Sequence, residues 1–154
     1  YAALADCLVL TRQHLARGQV KVVQHFAAQG RVRINLQELQ QVLINLIVNA
    51  VQAMPEGGTL TLETSDRDPH TDARGVSIVV RDTGGGIRAE DMARLFDPFF
   101  TTKKRQGTGL GLSISHTLVE RYGGRIEVDS VPGAGAAATT SAAAASVEPF
   151  TSGG

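Results

Sequence analysis

One cysteine, Cys7, is all the chain contains, so no internal disulfide can staple the fold, and its place in the apolar spacing Leu4, Cys7, Leu8 marks it as a buried packing residue. A reducing, cytoplasmic setting fits that usage. Charge of either sign is not in surplus: 15 Lys and Arg offset 15 Asp and Glu. That balance removes the broad positive field that would hold nucleic acid or an anionic membrane, so any charged ligand must be held locally. No apolar run approaches the roughly 18 residues needed to cross a bilayer, and the first residues lack the basic start of a signal peptide. The expectation is a soluble segment with no nucleic-acid partner and no membrane contact of its own. No internal repeat is visible, and 154 residues suffice for one domain with a real core.

What the chain has in quantity is glycine, 17 residues with clusters at 84–86, 107–111, 123–124 and 133–135 that hold ten of them, where backbone freedom or close ligand approach is needed. Between the clusters, periodicity assigns elements. Leu4, Cys7, Leu8 and Leu15 space a helix over 2–17 that stops at Gly18, and the β-branched run Val20 to Phe26 predicts a strand. A short, weak strand signal follows Gly30. Leu36, Leu39, Leu43, Leu46, Ile47, Ala50 and Met54 recur at three and four residues until Pro55, predicting the longest helix. Thr59 to Thr64 and Val76 to Arg81 read as an antiparallel pair, 110–122 as a helix stopped by Gly123-Gly124, and 125–130 as a strand. The segment from Ile87 to Gln106, with its proline and basic run, reads as a mobile lid. From Ala136 to Gly154 the composition falls to Ala, Ser, Thr and Gly, which predicts a tail poorly suited to a core strand. Domain limits of 1–135, with 136–154 set apart, follow.

Three segments carry chemistry. On the long helix, Gln41, Asn45, Asn49 and Gln52 fall on one face at about 100° per residue. Asparagine is a mediocre helix former, and lysine or glutamate would serve a merely solvated face better; amide oxygens, by contrast, can coordinate a hard cation such as magnesium beside phosphates. Next, Asp82-Thr83-Gly84-Gly85-Gly86-Ile87 follows a strand directly. It is either an ordinary glycine turn or a carboxylate accepting from a purine amine with backbone close to the ring. Last, Gly107-Thr108-Gly109-Leu110-Gly111-Leu112 opens a helix, where exposed N–H groups and the helix N-terminus favour a phosphate chain, and Lys103 stands just upstream. The spacing of a P-loop is missing, as is a complete dinucleotide fingerprint.

Taken together, Asn45-Leu46-Ile47-Val48-Asn49-Ala50 resembles the N box of histidine kinases, Asp82 to Ile87 the first glycine box, Phe96-Asp97-Pro98-Phe99 the F box, and Gly107 to Leu112 the second glycine box. Order and spacing agree over roughly residues 1–135. The chain is thus similar to the catalytic, ATP-binding domain of sensor histidine kinases, within the superfamily that also holds gyrase and heat-shock chaperones. The resemblance implies an α/β two-layer sandwich: a mixed, largely antiparallel sheet, helices on one face and a flexible ATP lid. It implies ATP and magnesium as ligands, with Asn49 on the metal, Asn45 catalytic in placing metal and phosphates, and Asp82 accepting from the adenine amine. Gly84, Gly86 and Ile87 would shape the adenine pocket. Lys103, Gly107, Thr108, Gly109, Leu110, Gly111 and Leu112 would serve the phosphates, while Phe96 and Phe99 anchor the lid by packing.

The partners implied are a histidine-bearing dimerisation domain of the same parent and a downstream response regulator, in a cytoplasmic domain whose parent is often anchored in the inner membrane. His14, His25, His70 and His116 lack the acceptor box, so ATP binding with negligible autophosphorylation is expected. Gly85 departs from the residue, commonly proline, that the family often places there, and only three residues separate Lys103 from Gly107, a short lid. Hydrolysing relatives carry a glutamate at the position of Asn45, and an amide cannot take a proton from water. The alternatives are an anti-sigma-type serine kinase, distinguished by transfer to serine, and a non-catalytic nucleotide-sensing module, distinguished by binding without transfer.

Overall fold

A computed structural model describes residues 2–30, 34–67, 74–87, 89–92, 111–131 and 133–142. The apolar run of the long predicted helix folds as a helix from Leu36 to Gln52, the third of five among the described residues and here α3. Its N-cap is Asn35, whose side chain accepts from the backbone N–H of Gln37 and Glu38 at 2.9 and 3.2 Å, satisfying two donors that the helix leaves open. Val42, Leu43, Leu46, Ile47 and Ala50 are buried. Leu36, expected in the apolar stripe, is 54% exposed at the first turn, whereas Val42, outside that stripe, is fully buried. Both differences have one cause: α3 is flanked by helices on two sides as well as resting on the sheet, so its buried arc is wider than one stripe.

The flanking helices are α1 (Ala2–Leu10) with α2 (Arg12–Arg17) on one side and α5 (Gly111–Arg121) on the other. The single helix expected over 2–17 is interrupted at Thr11, whose buried hydroxyl donates to the Cys7 carbonyl at 2.6 Å, a back-bond that competes with regular helix geometry. Gly18 caps the end as expected. Cys7 is buried, and burial pushes its thiol up to about 11, with Asp6 adding a smaller upward push. The N-terminal end of α3 is tied to the C-terminal end of α5. Tyr122 donates to Glu38 Oε2 at 2.6 Å and Arg121 lies 3.7 Å from Oε1; the bond to Glu38 holds the phenol above its ordinary range.

Five strands form one sheet in the order β1-β2-β3-β5-β4. β1 (Val20–Phe26) pairs in parallel with β2 (Gly58–Arg67), a pairing that needs a crossover, which α3 supplies. β2 then runs antiparallel to β3 (Arg74–Arg81), confirming the predicted pair. Alternation places Leu60 and Leu62 of β2, with Val80 of β3 and Ile126 of β4 (Arg125–Val131), in one core with the α1, α3 and α5 residues. On the opposite face lie exposed ion pairs, Arg81 with Glu63 at 3.8 Å and Arg125 with Glu127 at 3.3 Å, which contribute little to stability. The result is a mixed α/β fold of two layers.

The sheet departs from expectation at its last strand. Gly135–Ala142 is β5, an interior strand with β3 on one edge and β4 on the other, although 136–142 were expected to open a tail. An interior strand has its backbone bonded on both sides whatever its side chains, and the β-prone Thr139 and Thr140 are buried within it. The rest of the expected tail, 143–154, lies outside the described residues, as does the weak strand signal after Gly30 over 31–33.

Candidate functional site

α3 gathers the predicted site. Asn45, half-buried, donates through Nδ2 to Ser115 Oγ on α5 at 3.3 Å and accepts at Oδ1 from Gln41 Nε2 at 3.1 Å, one turn back on the same face. Asn49 and Gln52, on the next turns, are likewise half-buried. Past them, the C-terminal end of α3 meets the Asp82 loop so closely that a Cβ on Gly84 would stand 2.1 Å from the Ala53 carbonyl oxygen. Only glycine fits there without moving backbone. One helix therefore connects the start of α5 to the loop after β3.

Asp82 directly follows β3, with 8% of its surface exposed. Its Oδ1 accepts from Gly84 N at 2.8 Å and from Ala136 N at 3.4 Å, while its own backbone N–H donates to the Ala136 carbonyl at 2.9 Å. A buried carboxylate needs such donors. The close fit extends to Gly135, at φ 113°, where a Cβ would stand 2.2 Å from the Asp82 carbonyl oxygen. Thr83 adds a second tie: its Oγ1 accepts from Thr59 N at 3.1 Å and lies 3.6 Å from the Met54 sulfur. Farther along the loop, Gly86 takes the left-handed φ of 73°, Gly133 N donates to the Gly85 carbonyl at 2.6 Å, and Ser130 Oγ accepts from Ile87 N. The β4–β5 hairpin thus fastens the loop through these bonds.

Asn45 and Asn49 thus lie on α3, Gly84 packs at its C-terminal end, and Asp82, Gly86 and Ile87 belong to the same loop as Gly84. Gly111 and Leu112 form the first turn of α5, four and three residues before Ser115. Lys103, Gly107, Thr108, Gly109 and Leu110 lie outside the described residues, as do Phe96, Asp97, Pro98, Phe99 and His70, and with them most of the expected lid; 89–92 form the short helix α4. His14 and His25 are exposed, and His116 Nε2 stands 3.2 Å from Glu120 Oε1 one turn along α5.

Sequence reasoning missed Ser115, Gly135 and Ser130. Ser115 carried a signal: it is the polar member of the stripe Leu112, Ser115, Val119, Tyr122. Ser130 carried none and Gly135 only its place in the glycine cluster 133–135, because their partners are set by long-range pairing. Among the described residues no group of three or more His, Cys, Asp or Glu side chains could hold a metal ion. The side-chain amide oxygens of Asn45 and Asn49 on α3 are neutral, hard donors, a type that magnesium accepts.

Residues 34–144 match the family model described as histidine kinase-, DNA gyrase B-, and HSP90-like ATPase. Sensor kinase CckA of Brucella abortus is 41% identical over 149 residues, covering 86% of this chain and 16% of that protein. Sensor histidine kinase ZraS of Escherichia coli O157:H7 is 45% identical over 98 residues, 64% of this chain and 20% of the relative. The chain therefore spans a fifth or less of either. Among solved structures, the catalytic domain of histidine kinase ThkA aligns with a TM-score of 0.79 at 29% identity, over 93% of this chain and 91% of that one. Full-length ShkA in complex with AMPPNP aligns with a TM-score of 0.79 at 28% identity, over 94% of this chain and 30% of that one.

Proposed function

The chain belongs to the histidine kinase-, DNA gyrase B- and HSP90-like ATPase family, and within it is an ATP-binding catalytic domain of the sensor histidine kinase kind; from that premise we propose that it presents Mg-ATP to a histidine on a separate dimerisation domain of its parent. The carrying observation is the convergence on α3: the Asn45–Asn49 face, the Asp82 loop at Ala53, and the start of α5 at Ser115.

In this reading the fixed Asp82 carboxylate accepts from the adenine amine, an interaction a neutral base makes without a charged partner. Gly84 keeps the loop against α3, and Gly86 with Ile87 forms the rim of the pocket. The amide oxygen of Asn49 would coordinate magnesium, Asn45 would help to place the metal and the phosphates, and Gly107 to Leu112, with Lys103, would offer N–H donors and a counter-charge to the phosphate chain. Magnesium, when bound, offsets the negative charge of the phosphates. Transfer then breaks the bond between the γ-phosphoryl and ADP and forms a bond to an imidazole nitrogen, so this domain's task is in-line positioning and charge stabilisation. An amide at Asn45 takes no proton from water, which disfavours hydrolysis. The phosphoryl group then leaves that imidazole nitrogen for an acceptor on a response regulator. We extend the domain through Ala142, because β5 is interior to the sheet.

Calorimetric titration with a non-hydrolysable ATP analogue, with and without magnesium, tests this on wild type, Asp82→Ala and Asn49→Ala. Loss of nucleotide binding in the first and of magnesium dependence in the second is expected. Saturable binding that survives Asp82→Ala unchanged would refute the pocket. Incubated alone with labelled ATP, the domain is expected to incorporate negligible phosphate; stable label on His14, His25, His70 or His116 would overturn the need for a separate acceptor.

A further inference from the structure

Two hydrogen bonds of Asn45 show how its carboxamide is turned in this structure. The nitrogen end is turned to Ser115 on α5 and the oxygen end to Gln41. A carboxamide free to flip would offer its nitrogen as often as its oxygen, yet only the oxygen can coordinate a cation or accept from a metal-bound water. Ser115 itself is 0% exposed and stands where an apolar side chain would pack against Leu118, Val119 and the face of α3. A buried hydroxyl costs free energy unless it is bonded, and here Asn45 provides the bond. Ser115 also lies one turn inside the helix that begins at Gly111, so the same bond sets the register between the asparagine face of α3 and the N-terminal turn of α5.

We propose that Ser115 is a positioning residue for magnesium-nucleotide binding, acting through Asn45 by holding the nitrogen end of its carboxamide on the α5 side. The proposal rests on the reading of Asn45 as a metal- and phosphate-side residue. Its mark is a contribution that exists only with magnesium present and only with Asn45 present. Simple packing of α3 against α5 would show neither dependence.

The experiment is a calorimetric double-mutant cycle on the domain: wild type, Ser115→Ala, Asn45→Ala and the double variant, each titrated with AMPPNP with and without magnesium. Thermal unfolding of every variant is followed alongside. Ser115→Ala is expected to lower affinity about five-fold with magnesium, the scale of one neutral hydrogen bond, and to leave the metal-free affinity unchanged. In the Asn45→Ala background the same change is expected to have no effect. Ser115→Cys, of similar size but a weaker hydrogen-bonding group, is expected to fall between serine and alanine, and it replaces alanine in the cycle if alanine unfolds the domain. Equal losses with and without magnesium, an additive effect on Asn45→Ala, or no effect of either substitution would overturn the positioning role. A magnesium dependence that Asn45→Ala leaves intact would instead overturn the underlying reading of Asn45, and the inference with it.

Discussion

Replacing Gly84 by alanine places a methyl group 2.1 Å from the Ala53 carbonyl oxygen and 2.8 Å from its carbonyl carbon. Both obstacles are backbone, so no rotamer change relieves the clash. The loop must retreat from the end of α3 by about 1 Å to reach even a tight contact. That retreat draws the Gly84 N–H from Asp82 Oδ1, now 2.8 Å away. Overpacking of this kind costs about 1–3 kcal/mol and loss of a hydrogen bond to a charged group about 1.5–3 kcal/mol, so a combined loss of about 3 kcal/mol is expected. For a chain of this length that lowers the unfolding midpoint by roughly 6–12 °C. Nucleotide affinity falls with it, because the carboxylate loses the donor that fixes its plane. Gly85, the next residue, supplies the control: a Cβ there meets nothing within 4 Å. Gly85→Ala is expected to keep binding and to gain up to about 1 kcal/mol from reduced unfolded-state freedom. Thermal unfolding and AMPPNP titration read both. A Gly84→Ala domain as stable and as competent as wild type, or a Gly85→Ala domain equally damaged, would refute the steric argument.

Thr140 is 8% exposed and its hydroxyl is buried without a hydrogen-bond partner among the described residues. Thr140→Val, which keeps the shape and removes the unsatisfied group, is expected to stabilise by about 1 kcal/mol in denaturant unfolding; destabilisation would show that the hydroxyl is satisfied after all. Asn35→Ala removes the α3 cap and is expected to cost about 1 kcal/mol by the same assay, with Asn35→Asp close to wild type. Backbone N–H groups of Gln29 and Gly30, at 3.0 and 2.7 Å, hold the Asp66 carboxyl below the usual carboxylate range. A group whose pKa is depressed by folding stabilises the fold above its unfolded pKa, and this contribution is lost as pH falls from there through the folded value. The acid limb of wild-type stability should therefore be steeper than that of Asp66→Asn, and parallel acid limbs would remove Asp66 from the account.

Local physics made much of the molecule legible. Val20–Phe26 is a strand over the predicted residues, because β-branched side chains between Gly18 and the Gly30 turn leave little choice of element. The helix begun at Leu36 could be placed from its period and from Pro55, and the asparagines on its polar face from 3.6-residue geometry alone. The four boxes pointed to the family, two of them because close backbone approach requires glycine at fixed places in the chain, a need written in composition and spacing.

Tertiary structure decided the rest. Whether 136–142 belonged to the core could not be read from alanine and threonine, since an interior strand is held by hydrogen bonds whose partners, 76–81 and 125–131, are distant in sequence or fixed only by pairing. Leu36 satisfies the helical period and is nonetheless exposed, because periodicity gives a face but not what covers it. Gly84 and Gly135 are constrained by the Ala53 and Asp82 carbonyls, and Ser115 gains its meaning only when α5 lies against Asn45, 70 residues away along the chain. The sequence by itself determined which residues carry the family's motifs; packing determined which of the described ones are held in place, because hydrogen-bond direction and steric fit exist only between elements already brought together.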